Sequence, residues 1–352
     1  MKTKRILSVL IVSLFSLQTL QFTARADEGM WPFNNLPRAE IKKKYGFDIT
    51  DEWLKKVQLA SVRFNSGGSG SFVSSDGLVM TNHHIASDVL QKISTPQKDY
   101  IKEGFYAPTR DQEAKAPDLE LNQLVGIEDV TARVMSAVKP DMTTAQANAA
   151  RNAEINNISA EAGKKNGLRN DVIALFQGGQ YNLYSYKKYT DVRLVFAPEF
   201  EIAFLGGDPD NFEYPRYDLD LALFRVYEND RPVHSNNFFK WSEQGSKEGD
   251  LVFVSGNPGR TNRLDTVAHL EYLRDFGIPL LLKYLQHLHD MYTRYGALGA
   301  EQERRAHEDL FGVDNSLKAY IGEEGAPGRG GLKDPTVIPA KKKTEDELRK
   351  MV

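Results

Sequence analysis

The chain has 352 residues, 41 % of them hydrophobic, enough for two domains with a sizeable core, which excludes a disordered protein. Lys and Arg number 45 against 48 Asp and Glu, a net charge of −3, so no general attraction to nucleic acid is expected. Cysteine is absent, which excludes disulfide scaffolds, thiol nucleophiles and cysteine zinc sites together.

Lys2, Lys4 and Arg5 precede an apolar run from Ile6 to Leu20, and Ala24-Arg25-Ala26 places small residues where a signal peptidase reads. Residues 1–26 therefore read as a signal peptide cleaved near Ala26, with the protein periplasmic or secreted. The run is shorter than the ~20 residues of a membrane span, and no later segment is long enough. The leader takes four of the basic residues and no acid, leaving 41 basic against 48 acidic residues. From 27 to about 60 the chain mixes Pro-bounded turns with a short amphipathic segment, where Ile49-Thr50-Asp51-Glu52-Trp53 reads as a cap and a helix. Ser61 to Phe64, Gly70 to Val73 and Gly77 to Thr81 then read as short strands, with Ser75-Asp76-Gly77 as a hairpin turn. Asp141 to Arg169 has the composition of an exposed helical excursion. Strand signal resumes at Val172 to Phe176, Leu183 to Tyr189, Val192 to Ala197, Leu219 to Val226 and Leu251 to Val254. Beyond Asn262 the period is helical, interrupted by a loop from Gly325 to Gly331, and Lys341 to Val352 reads as a charged helix.

Three segments could carry chemistry. In Gly68 to Ser87, a hairpin strand ends in Thr81-Asn82-His83-His84, and strand alternation lets only one of the two imidazoles point into a cleft. In Phe204 to Glu228, Asp220 stands before the apolar Leu221-Ala222-Leu223-Phe224, where a carboxylate could accept an imidazole Nδ1 proton during acyl transfer. Asp208, Asp210 and Asp218 compete for that role. Phe253 to Leu264 is a strand leading through Gly256 and Gly259 into a helix, and reads as a plain domain junction. His287 and His289 lie two apart on a helix and do not converge on a metal, and Gly325 to Gly331 lacks the Lys-Ser/Thr ending of a phosphate loop.

Together these segments resemble the bacterial dipeptidyl peptidases usually numbered seven and eleven. The likeness is carried by the Gly-Ser hairpin ending in Thr-Asn-His-His at Ser69 to His84, by Gly206 to Arg216 with its Gly-Gly-Asp and Asp-Asn-aromatic run, and by Asp220 to Tyr227. Asn315 to Tyr320 and Gly331 to Pro335 are also similar to family segments. The resemblance implies a mainly β fold with α: a chymotrypsin-like β-barrel catalytic domain at 27–265, incomplete with its second barrel truncated, then the start of an inserted α-helical domain at 266–352. It implies His84 as general base and Asp220 as its partner, with Asn211, Phe212 and Asn315 binding the free amino group of the substrate. Amide oxygens can accept the protons of an ammonium at a fixed distance from the scissile bond.

Two features depart from the family. Many members carry cysteines where Gly68 and Ile85 stand here. The family's serine nucleophile lies in a Gly-x-Ser-Gly turn downstream of the helical domain, so the resemblance supplies no nucleophile in this chain; Ser66 and Ser255 are weak substitutes. The expected function is thus an exported serine-type dipeptidyl peptidase, inactive as 352 residues alone. A non-catalytic peptide-binding or chaperone-like module, or a fragment of a partial gene model, are the alternatives. Expected partners are oligopeptides with a free N-terminus, without nucleic acid, metal, cofactor or membrane span, and homodimerisation of the full-length enzyme stays open.

Overall fold

The computed structural model describes residues 29–95, 97–213, 215–258 and 262–351. The signal-peptide reading and Gly259 lie outside the described residues. Eleven strands join in antiparallel pairs: β1 Ser61–Phe64, β2 Ser69–Phe72, β3 Leu78–Thr81, β4 Phe105–Tyr106, β5 Ala114–Lys115, β6 Leu121–Asp129, β7 Arg169–Leu175, β8 Gln180–Tyr189, β9 Asp191–Ala197, β10 Ala222–Glu228 and β11 Arg231–Pro232. Their order is β4-β9-β10-β3-β2-β1-β6-β8-β7, with β5 on β9 and β11 on β10.

This sheet is rolled. β8 and β9 stand six places apart in the order, yet Thr190 alone connects them. A flat sheet would separate them by ~29 Å, whereas one linking residue spans only ~7 Å. Rolling brings Phe72 of β2 edge-on to Tyr189 of β8 at 6.2 Å and Phe64 of β1 to Phe224 of β10 at 5.9 Å. Ala222, Phe224 and Val226 alternate inward along β10, and Val62, Val79 and Leu194 complete the same core.

The β2–β3 turn needs glycine at Gly77, where φ is +75° and a Cβ would lie 2.9 Å from the Val226 carbonyl oxygen. Gly68 has φ +85° and leaves its side-chain space to Ile85, whose Cδ1 would be 2.4 Å from a Cβ. The two positions at which many relatives were expected to carry cysteine thus pack directly against each other.

The helical excursion spans Thr144–Asn166, started by a capping box between Thr143 and Gln146. It is not wholly exposed: Ile158 is buried against Val130, Val134, Tyr181 and Leu183. Leu251 to Val254 forms no strand, because among the described residues no neighbouring strand pairs with it; Val254 is 99 % exposed. Apolar β-branched composition yields a strand only where a partner supplies hydrogen bonds.

Farther on, the helices Val267–Tyr272, Ile278–Gly296, Ala300–Glu324 and Val337–Arg349 follow, with a π turn at Leu273–Gly277. Asp334 closes the glycine loop by accepting from the Gly328, Gly330 and Thr336 amides.

By packing, the chain forms two compact units. Of the described residues, one unit comprises those up to Leu54 together with Trp241–Val254, the other those within Lys55–Lys240 and from Ser255 onward. The first centres on Ile41, Ile49 and Leu54, with Phe47, Trp53 and Phe253 in mutual ring contact. Among the described residues no helix is long and apolar enough to cross a membrane.

Candidate active site

The register between β3 and β10 builds the site. Thr81, the last residue of β3, pairs with Ala222, the first of β10. In an antiparallel pair, the chain leaving one strand runs beside the chain entering the other. Residues just after Thr81 and just before Ala222 must therefore meet, although 136 positions separate His84 from Asp220.

His84 Nδ1 lies 2.8 Å from Asp220 Oδ2, and the His84 backbone N–H donates to Oδ1 at 3.1 Å. A carboxylate only accepts, so the Nδ1 nitrogen carries a proton, and in the neutral imidazole Nε2 presents its lone pair. No hydrogen bond to that Nε2 forms among the described residues. The Asp220 side chain is 6 % exposed and that of His84 44 %. Burial pushes the Asp220 carboxyl up, but the hydrogen bond and charge of His84, with the Asn82 amide, more than offset this and hold it below the usual carboxylate range. The competing acids have other partners: Asp218 pairs with Arg216 at 3.1 Å, Asp210 accepts from the Tyr217 amide, and Asp208 from the Asp210 amide at 3.5 Å.

His83 and His84 are not strand residues. They open the helix His83–Ile93, whose 3.6-residue period turns His83, Ala86, Val89 and Leu90 into the core and His84 outward. The expected outcome, one imidazole in and one out, holds for a different reason than strand alternation. His83 is 1 % exposed and its Nε2–H donates to the Pro198 carbonyl at 3.1 Å. Burial drives its imidazole below the ordinary value, against the pull of Asp220 and Pro198.

That displacement has a testable sign. The unfolded chain takes up a proton near pH 6.5 that folded His83 refuses until lower pH, so stability falls as pH drops below about 6.5. The melting midpoint of the wild type is expected to drop more between pH 7.5 and 5.5 than that of His83→Asn. Parallel profiles would refute the assignment to His83.

A second pair forms across 104 positions, where Asn211 Nδ2 donates to Asn315 Oδ1 at 2.9 Å. Asn211 is 1 % exposed and sits in a turn in which neighbouring Phe212 is held at φ +62° with its ring exposed. Such a backbone conformation costs a non-glycine residue energy. Lys318, whose role the sequence did not reveal, pins this loop by donating to the Pro209 carbonyl and pairing with Glu213. Beside the pair is an open groove of about 430 Å³ lined by Phe212, Glu213, Lys318, Ala319, Ile321 and Gly322. Asn82 was also missed; its Nδ2 lies 3.0 Å from Asp220 Oδ2. Among the described residues, no group of three or more His, Asp or Glu side chains is placed to hold a metal.

A rolled antiparallel sheet with an imidazole–carboxylate couple where two strands meet is an arrangement used by hydrolases that act through a nucleophile. The family model Peptidase S46 matches residues 26–352, and the chain belongs to that serine-type peptidase family. It is 32 % identical over 294 residues to dipeptidyl-peptidase 7 of Capnocytophaga gingivalis, covering 78 % of this chain and 41 % of that protein. It is 32 % identical over 285 residues to the Asp/Glu-specific dipeptidyl-peptidase of Porphyromonas gingivalis, covering 74 % and 40 %. The crystal structure of DPP11 from Porphyromonas endodontalis with the dipeptide Arg-Glu superposes with a TM-score of 0.77 at 25 % identity, over 93 % of this chain and 49 % of that one. The chain thus spans less than half the length of these relatives.

Proposed function

We infer that this chain supplies the base, its carboxylate partner and the amino-terminus clamp of an exported serine dipeptidyl peptidase, on a chymotrypsin-like barrel at 27–265 with a helical domain from 266. The observation that carries the reading is the 2.8 Å contact between His84 Nδ1 and Asp220 Oδ2. With Nδ1–H held by the carboxylate, Nε2 takes the proton of a serine hydroxyl as it attacks the scissile carbonyl. The imidazolium so formed, stabilised by Asp220, then protonates the leaving amine, and water repeats the cycle on the acyl-enzyme. The reading places the serine outside these 352 residues. Asn211, Asn315 and the Phe212 turn would receive the substrate ammonium, and the adjoining groove a neighbouring side chain.

The clamp is tested by calorimetric titration of the purified chain with a tetrapeptide and its N-acetylated twin. Acetylation removes the charge and protons that amide oxygens accept, so binding is expected to weaken about tenfold or more. Asn211→Ala should abolish the difference. Equal affinity for both peptides would defeat this assignment.

A further inference from the structure

We propose that Asn82 is a positioning residue of the His84–Asp220 couple, fixing the carboxylate rather than capping the helix it precedes. Asn is among the favoured residues at a helix N-cap, where its side-chain oxygen accepts from the first turn. Asn82 occupies that position before His83–Ile93 with the extended backbone of a cap (φ −83°, ψ 153°), yet its side chain makes no capping bond. The His84 amide in that first turn donates instead to Asp220 Oδ1. A carboxylate from 136 positions away has taken over the cap, leaving the asparagine side chain free for other work.

That side chain reaches back to the same aspartate. Its Nδ2 lies 3.0 Å from Asp220 Oδ2 and 3.2 Å from the Asp220 carbonyl oxygen. Both partners only accept, so the amide must face them with its NH₂. One amide thus ties the carboxylate to its own backbone and restrains rotation of the group that holds Nδ1–H. Oδ2 receives two donors, His84 Nδ1–H and Asn82 Nδ2–H, and Oδ1 receives the His84 backbone. All three donors are met in this one arrangement.

The role in turnover rests on the peptidase reading, but the geometry can be tested without turnover. In nitrogen-labelled 352-residue chain, the far-downfield Nδ1–H proton of His84, assigned by its loss in His84→Gln, reports the couple directly. Asn82→Ala frees the carboxylate, and exchange of that proton with water is expected to quicken roughly tenfold, the worth of one charge-assisted hydrogen bond. Asn82→Asp separates the two roles, since aspartate caps helices as well as asparagine but cannot donate and repels Asp220. It is expected to lose the signal while staying folded at pH 7, with a melting temperature lowered by the two facing carboxylates. If Asn82→Asp keeps the signal, or if exchange in Asn82→Ala is no faster than in wild type, the amide does not position the couple and the proposal fails, with the couple itself intact. If wild type shows no such proton at any pH at which it is folded, the couple is not formed and the peptidase reading falls with it.

Discussion

Glu113→Ala is expected to lower folding stability by about 3–5 kcal/mol, the usual cost of removing one partner from a buried ion pair. The Glu113 side chain is 2 % exposed and that of Arg225 11 %. Arg225 Nε donates to Glu113 Oε1 at 2.8 Å, and its Nη1 donates to Asp76 Oδ2 at 2.7 Å. The Tyr227 hydroxyl donates to Glu113 Oε2 at 2.7 Å; burial and the neighbouring carboxylate push that phenol up to about 12. Without Glu113, the buried guanidinium keeps only the half-exposed Asp76, and the Tyr227 hydroxyl is left without its acceptor. Against a total of about 5–15 kcal/mol for a typical domain, this is a large fraction. Chemical denaturation at pH 7 measures it, and a loss below about 1 kcal/mol would show that the network is not stabilising. Exposed pairs such as Arg304–Glu301 serve as contrast, since water screens both charges and their removal should leave the unfolding midpoint nearly unchanged.

The network also bears on the site. Arg225 pairs in register with Leu78, the first residue of β3, and Asp76 sits in the turn just before it. The same two strands deliver His84 and Asp220 from their opposite ends. Loosening one end of the β3–β10 pair therefore threatens the alignment at the other.

Short strands with Gly, Ser and Asp between them were legible because turn chemistry is local: β1, β2 and β3 fall within a residue of their expected bounds. The helices beyond Asn262 were legible because their apolar spacing persists over many turns. Local signals failed where the outcome depended on a distant partner. Asn82-His83-His84-Ile85 follows a strand without any Pro or Gly, so the start of a helix there shows only in the spacing of Ala86, Val89 and Leu90. Leu251 to Val254 has the composition of a strand and no neighbour to pair with. Motif likeness pointed to His84, Asp220, Asn211 and Asn315, but nothing in the sequence says that Thr81 pairs with Ala222, and that register is why two of them touch. The contacts of Asn82, Lys318 and Glu113 likewise join residues more than 100 positions apart, which no local signal announces.

Asp220→Asn is expected to cut the rate of dipeptide release by about 10⁴-fold in the protein expressed from its gene at natural length, with KM changed far less. The variant keeps the shape of the side chain but has one acceptor oxygen for three donors: His84 Nδ1–H, the His84 backbone N–H and the Asn82 amide. If the oxygen serves the backbone, the new NH₂ faces Nδ1, the imidazole proton moves to Nε2, and no lone pair remains to receive a serine proton. If the oxygen serves Nδ1, the helix His83–Ile93 meets an N–H where its cap was, and the charge that steadied the imidazolium is lost in either case. The carboxylate's own contribution to stability has a defined window. Because its folded value lies below the ordinary one near 3.9, that contribution is present above this pH and disappears as pH falls through the lowered value. The variant should therefore be folded at pH 7, with a modest loss of melting temperature, while turnover collapses. A rate within tenfold of wild type would remove Asp220 from the mechanism, and a natural-length protein that binds free-amino peptides but never cleaves them would make the chain a binding module.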